Sequence, residues 1–293
     1  MSICAGAANA ANAEPSTLIK IRGAYSTFKK AEQRIAQAIC ENPEKVLNLS
    51  ITELAEKSAA SESSVVRFCK SLGYKGYYEL KISLARELVI TPHQIYEEIS
   101  PSDDVSTIKH KVFQSNILAL QETIKILNDE ELERASEAIC KARLLAFYGM
   151  AASAAVALDS SHKFMRINIR SVSYSDSHMQ AISASLLQPG DVALGISHSG
   201  SSKDVVDALR IARQKGATTI CLTHHTKSPI TRVADIKLYT AARETALRSD
   251  AMTSRIAQLS ILDVLYVSVA LKRYETSLQA IERTKEALAE KKY

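Results

Sequence analysis

Residues 51–72, ITELAEKSAASESSVVRFCKSL, read as two short helices joined by a tight turn. Ser50 and Glu53 stand three apart just ahead of an apolar run. That is the spacing of a capping box, in which two side chains satisfy backbone N–H groups left open at a helix start. The helix that begins there buries Ile51, Leu54 and Ala55. Ser61 is placed to cap the next helix, whose Val65, Phe68, Cys69 and Leu72 recur at i, i+3, i+4 and i+7, so one stripe of it must face a core. Gly73 then ends it, because glycine accepts the left-handed backbone that closes a helix. The other face carries Ser63, Ser64, Arg67, Lys70 and Ser71, hydroxyl and cationic groups suited to base edges and phosphate oxygens in a major groove. Taken alone, the pattern also describes an ordinary solvated amphipathic helix.

The flanking sequence is more specific. VVRFCKSLGYKGYYELKISLA at 65–85, with EQRIAQAI at 32–39 followed by Asn42-Pro43, resembles the N-terminal DNA-binding domain of RpiR-type bacterial transcription regulators. The resemblance spans residues 16–90 and implies a helix-turn-helix. In it Ser63, Ser64, Arg67 and Lys70 are the candidate DNA contacts, with Lys75 on phosphate. One departure stands out: the turn is Ser58-Ala59-Ala60, where the family usually has glycine at the Ala59 position. A left-handed alanine costs on the order of 1 kcal/mol, so a slightly altered turn is expected, with the motif intact.

The chain has 293 residues, enough for two domains, and 46% hydrophobic with 24% charged residues is ordinary globular composition. A net charge of +5 is compatible with a polyanionic partner without identifying one. No apolar run approaches the ~18 residues of a membrane span, and MSICAGAANAANAEPS lacks the basic start and long apolar stretch of a signal peptide, so a cytoplasmic location is expected. Cys4, Cys40, Cys69, Cys140 and Cys221 are odd in number and scattered, without a CxxC pair. Neither a disulfide framework nor a zinc site follows, and Cys40 and Cys69 read as small core residues.

Along the chain, residues 1–15 are expected to be disordered, 16–91 to form the all-α helix-turn-helix domain and 92–104 a proline-containing acidic linker. The remainder, 105–293, opens with helices over about 105–127 and 130–142. From Leu144 short apolar strands alternate with helices: 144–148, 168–174, 191–197, 218–223 and 236–240. Strands about 25 residues apart cannot be hairpin partners, so they form a five-stranded parallel sheet flanked by helices, an α/β domain. In such sheets ligands bind beyond the carboxyl ends of the strands.

There the third strand runs into Ser197-His198-Ser199-Gly200-Ser201-Ser202, with a helix starting near Lys203. Hydroxyl groups, open backbone N–H groups and the positive end of a helix dipole together suit a phosphate group, although serines also cap helices that bind nothing. The segment resembles the phosphosugar-binding loop of the sugar isomerase (SIS) domain, Ser-x-Ser-Gly-x-Ser/Thr, over residues 125–270. Combined with the N-terminal domain, this is the full RpiR architecture. Gly149 to Ser153 matches the family's second loop, with Ala151 in place of the usual second glycine. The resemblance implies ligand contacts at Ser153, Ser197, Ser199 and Ser202. It adds Glu244, placed after the fifth strand where SIS proteins carry a glutamate that touches the sugar. Arg243 and Arg248 stand near the same rim, and His178 and His198 are candidate pocket residues.

Other chemistries lack motifs. A hydrolase nucleophile elbow needs glycine where Ser199 stands. GxGxxG and Walker patterns are absent, and His224 and His225, as strand neighbours, point to opposite faces, which makes a poor metal pair. No cofactor or metal is expected. These features give a DNA-binding transcriptional regulator of carbohydrate-metabolism genes, read first as a repressor, whose DNA affinity is set by a phosphosugar in the SIS domain. The rival reading is an aldose/ketose phosphosugar isomerase using Glu244 as base. A third is an adaptor that binds a partner protein through its helical N-terminus. A catalyst has no need of a DNA-binding module, and an adaptor leaves Arg67 and Lys70 without a role. A single short recognition helix reads few bases, so a homodimer or homotetramer on half-sites roughly 34 Å apart is expected. The apolar helix 251–271 is available for packing or dimer contact.

Overall fold

The computed structural model describes residues 17–88, 99–100, 102–242, 252–289 and 291, and the chain divides into two units, residues 1–95 and 96–293. The first unit is built from α1 (Thr17–Ala24), α2 (Lys30–Glu41), α3 (Pro43–Leu47), α4 (Ile51–Lys57), α5 (Glu62–Ser71) and α6 (Tyr77–Leu88). The capping box at α4 forms: Ser50 Oγ accepts from the Glu53 N–H at 3.2 Å, and Glu53 Oε2 accepts from the Ser50 N–H at 2.8 Å. Ser61 caps α5 by accepting from the Ser64 N–H at 3.2 Å. The apolar stripes converge in one core containing Ile35, Ile39, Val46, Leu54, Val65, Phe68, Leu80 and Leu84, with the Phe28 and Phe68 rings 5.0 Å apart. Cys69 lies inside this core, and burial pushes its thiol up to about 12, which removes it from thiolate chemistry at neutral pH.

In the second unit α7 (Val105–Ile126) and α8 (Asp129–Cys140) precede five strands: β1 (Leu145–Gly149), β2 (Ser171–Tyr174), β3 (Val192–Ile196), β4 (Thr218–His224) and β5 (Ile236–Thr240). Between and after them come α9 (Ala152–Arg166), α10 (Ser177–Ser185), α11 (Lys203–Gln214), α12 (Met252–Lys272) and α13 (Tyr274–Ala289). All neighbouring strands pair in parallel, in the order β2-β1-β3-β4-β5. The two sheet faces differ in side-chain size. Leu145, Phe147, Leu194, Ile196, Leu222 and Leu238 meet α8, α9 and α12, whereas Ala146, Ala193 and Cys221 meet α10 and α11. Small residues let α11 approach closely: a Cβ on Gly195 would sit 2.7 Å from Leu209 Cδ1.

Two expectations need correction. The second strand starts at Ser171 rather than 168, because Asn168 takes φ +60° as the left-handed residue that closes α9. Its N–H donates to Met165 O at 3.1 Å and that of Ile169 to Phe164 O at 3.1 Å, a Schellman ending that delays the extended backbone. Secondly, α12 is by length and composition apolar enough to cross a membrane. Its Ile261, Leu262, Leu265 and Val269 pack in the sheet core, which accounts for one apolar face.

Candidate DNA-reading helix and ligand pocket

The turn between α4 and α5 closes as a Schellman motif. The Ala59 N–H donates to Glu56 O at 3.1 Å and the Ala60 N–H to Ala55 O at 2.8 Å, with Ala59 at φ +48°. The expected alteration is therefore absent: alanine takes the left-handed conformation with its hydrogen bonds intact and carries the strain. Gly73 ends α5 through the same pair of bonds, its own N–H to Lys70 O and that of Tyr74 to Cys69 O, both at 3.0 Å.

On α5 the structure exposes Ser63, Arg67, Lys70 and Ser71, and Lys75 is exposed just beyond it. Ser64 departs from the sequence reading. It is 6% exposed, on the buried edge of the helix, where its Oγ lies 2.8 Å from Ser61 Oγ and accepts from Arg67 Nη2 at 3.0 Å. Ser64 thus holds the base of Arg67's reach rather than presenting itself. Ser63 Oγ lies 2.8 Å from Ser61 Oγ, so the hydroxyls at this helix start form one network. Arg34 of α2 was passed over in the sequence. Its guanidinium donates from Nε to Ser58 O at 2.9 Å and from Nη2 to Ala59 O at 2.6 Å, a contact 24 residues away that no local spacing signals.

The second site lies where the strand order reverses. β1 and β3 are neighbours, with Gly149 opposite Ile196, yet α9 leaves β1 toward one face of the sheet and α11 leaves β3 toward the other. The chains diverge between the Gly149–Ser153 and Ser197–Ser202 loops, which makes this the topological switch point of an open α/β sheet, where such sheets place their ligand crevice. Ser197 is buried and donates its Oγ proton to Ser202 Oγ at 3.0 Å, while Ser202, at the N-cap of α11, makes no side-chain cap bond. Ser199 is exposed and its Oγ accepts from the Ser201 N–H at 3.2 Å. Gly200, at φ +63°, is packed so tightly that a Cβ would lie 2.1 Å from Ser228 Oγ and 2.9 Å from Thr223 Oγ1.

In the neighbouring loop Ser153 is half-buried near the start of α9. A Cβ on Gly149 would lie 2.5 Å from Ser153 O, so that glycine is obligatory. Ala151, in the other glycine's place, adopts φ +50° and ψ −124°, a sparsely populated conformation costing on the order of 1–3 kcal/mol.

The His198 and His224 rings stand 5.3 Å apart, and the His225 ring packs instead on Tyr239 at 5.0 Å, so the two adjacent histidines do diverge. His178 is exposed on the first turn of α10, beyond β2, two strands away from the β3 loop. Glu244, Arg243 and Arg248 lie outside the described residues. Three supporting residues escaped the sequence reading. Gln180 Nε2 ties the strand ends together by donating to Gly149 O at 3.0 Å and Tyr174 O at 2.9 Å. Thr223 Oγ1 donates to His198 O at 3.2 Å, and buried Ser228 packs against Gly200. Each acts across the fold, beyond the reach of a motif.

Residues 16–90 match the helix-turn-helix domain of the rpiR family, and residues 138–268 match the SIS domain. A full-length relative, an HTH-type transcriptional regulator of Caldanaerobacter subterraneus, is 44% identical over 94% of this chain and 98% of its own length. The chain belongs to the RpiR-type transcriptional regulators. Another member, HexR of Pseudomonas aeruginosa, is 35% identical over 94% of this regulator and 96% of its own length. Among solved structures, the Vibrio vulnificus NanR protein complexed with ManNAc-6P superposes with a TM-score of 0.80 at 28% identity, covering 94% of this regulator and 100% of that chain. The regulator therefore carries a DNA-binding helix-turn-helix region followed by the SIS α/β fold.

Proposed function

We propose that the regulator binds a phosphosugar in the crevice between the β1 and β3 loops, and that this ligand sets its affinity for operator DNA in carbohydrate-metabolism genes. The observation that carries the reading is the Ser197–Ser202 pair at the switch point. Two hydroxyls 3.0 Å apart flank the open amides of α11, the donor set a phosphate group takes up. Ser199 and Ser153 complete the phosphate end, and Glu244 is assigned to the sugar by resemblance. A bound ManNAc-6P in NanR supports a sugar phosphate as the ligand class. Relatives named as transcriptional regulators favour a sensor over an isomerase. On DNA, Ser63, Arg67 and Lys70 face the groove with Lys75 on phosphate, and the first reading of the outcome is repression.

A ligand can shift DNA affinity only by the difference in its own affinity for the two DNA-binding arrangements. The test is a thermal-shift screen of the full chain against phosphosugars, with parent sugars and inorganic phosphate as controls. It is followed by fluorescence anisotropy on a duplex enriched by the regulator from a random pool. One phosphosugar should raise the melting temperature, by roughly 2.7 kcal/mol of stabilisation at a hundredfold excess over Kd, and should change duplex affinity. Turnover of that compound would favour the isomerase instead, and no shift from any compound would remove the sensor.

We further propose that the regulator works as a homo-oligomer held by its second unit. Among the described residues, every exposed large apolar side chain except Tyr25 and Tyr78 lies in that unit. On α12, Val264, Val267 and Leu271 repeat at i, i+3 and i+7 with 43%, 51% and 63% exposure, an apolar stripe opposite the one in the core. Covering the exposed half of two such side chains is worth about 2–3 kcal/mol, roughly half of the ~1.5–3 kcal/mol that full burial of each would give. Val267→Glu with Leu271→Glu should therefore yield monomers in sedimentation and lose binding to a two-half-site duplex. An unchanged sedimentation coefficient would place the contact elsewhere.

A further inference from the structure

We infer that Arg34 is a positioning residue for DNA reading: its guanidinium clamps the α4–α5 turn and so fixes the angle at which α5 is presented. Two observations meet at this point. Ala59 holds a left-handed φ of +48°, a conformation that an L side chain resists. The carbonyls on either side of its Cα, those of Ser58 and Ala59, accept from Arg34 Nε at 2.9 Å and Nη2 at 2.6 Å. They sit at the C-terminal end of α4, where the helix dipole leaves partial negative charge and cations are favoured.

The rigid planar fork of a guanidinium matches two consecutive carbonyls, and a lysine ammonium on its flexible stem does not. Arg34 is itself anchored, because the neighbouring Ile35, Ala36, Ala38 and Ile39 of α2 are buried in the core. The turn that aims α5 is thereby referenced to the body of the unit. With glycine at position 59 the left-handed turn would persist without help. With alanine it is held by the clamp. This inference rests on α5 being the DNA-reading helix. If that premise fails, Arg67→Ala leaves specific binding unchanged, whereas failure of the clamp alone leaves the Arg67→Ala loss in place.

The experiment compares full-length Arg34→Ala, Arg34→Lys, Ala59→Gly and the Arg34→Ala/Ala59→Gly pair. Affinity is read by anisotropy on the enriched duplex and on poly(dI-dC) across a salt series, with circular dichroism melts confirming that each variant is folded at the assay temperature. Arg34→Ala should weaken the enriched duplex roughly tenfold and poly(dI-dC) by no more than about twofold, because a misaimed helix loses base contacts before phosphate contacts. Its salt slope should match the parent's. Ala59→Gly should change little in the parent and restore most of the loss in the Arg34→Ala background, and Arg34→Lys should fall between. Equal losses on both duplexes with a slope reduced by about 0.9 would make Arg34 a phosphate contact and overturn the clamp. So would an Ala59→Gly effect of the same size in both backgrounds, or an Arg34→Ala protein that binds like the parent. Should Arg34→Ala fail to fold, the Arg34→Lys and Arg34→Lys/Ala59→Gly pair carries the same comparison.

Discussion

Replacing Gly200 by alanine is expected to abolish phosphosugar binding and to lower the melting temperature of the second unit, whereas the same change at Gly23 does neither. Both are single methyl additions, and their surroundings decide the sign. Gly200 stands at φ +63°, and its new Cβ would come within 2.1 Å of Ser228 Oγ, 2.6 Å of Ser228 Cβ and 2.9 Å of Thr223 Oγ1. Ser228 is 1% exposed and Thr223 is fully buried, so neither can swing aside, and the loop backbone must move. That movement breaks the Ile230 N–H bond to Gly200 O, 3.0 Å, and displaces Ser199 and Ser202 on either side. Left-handed strain of about 1–2 kcal/mol and overpacking of about 1–3 kcal/mol together predict a loss of roughly 2–5 kcal/mol. Gly23 lies in α1 with nothing within 4 Å of the added carbon, and alanine in a helix gains up to about 1 kcal/mol over glycine. Calorimetry with and without the phosphosugar found in the screen reads both quantities. A Gly200→Ala protein that keeps its ligand-induced shift would mean that this loop does not hold the ligand.

Elements that local chemistry specifies were legible in the sequence; arrangements that depend on distant partners were not. The capping box at Ser50 and Glu53, the α5 stripe and the fifth strand fall where spacing put them, because each is encoded within one turn or one strand. Ser64 was misassigned to the outer face because polar type outweighed angle. It sits four residues before buried Phe68 and beside buried Val65, so it lies on the edge of the core stripe. The apolar character and the extent of α12 were both legible, but not that it is apolar enough for a membrane span: Arg255 and Asp263 interrupt the run in one dimension, while a helix carries both to its exposed side. Ala59 and Ala151 show the limit of a pattern departure. Each keeps the positive φ that glycine adopts easily, at φ +48° and +50°, so losing the residue type did not lose the backbone conformation. What sustains it at Ala59 is a guanidinium 25 residues away, and no reading of neighbours finds that.

Arg67→Ala is expected to weaken binding to the enriched duplex by roughly 10- to 100-fold, about 1–3 kcal/mol, the range for losing one good base contact. On poly(dI-dC) the loss should be that of a single charge, and the salt slope should fall by no more than about 0.9. The asymmetry follows from where the side chain starts. Arg67 is exposed on the face of α5 opposite Val65, Phe68 and Cys69, and its Nη2 donates to Ser64 Oγ at 3.0 Å. That bond leaves the remaining guanidinium donors for a base edge while holding the side chain in one orientation before DNA arrives, so less entropy is lost on binding. Ser64→Ala then provides an internal check. It removes the restraint without touching charge, so specific binding should drop by only a few fold and the salt slope should not change. Because Ser64 is buried and also bonded to Ser61, its replacement should lower stability by about 1 kcal/mol, separable by the melt. Equal losses on both duplexes for Arg67→Ala would reduce it to a phosphate contact. If Ser64→Ala cost as much specificity as Arg67→Ala, with the fold intact, the buried hydroxyl would have to be doing more than steering its neighbour, and the orientation assigned to α5 would be wrong.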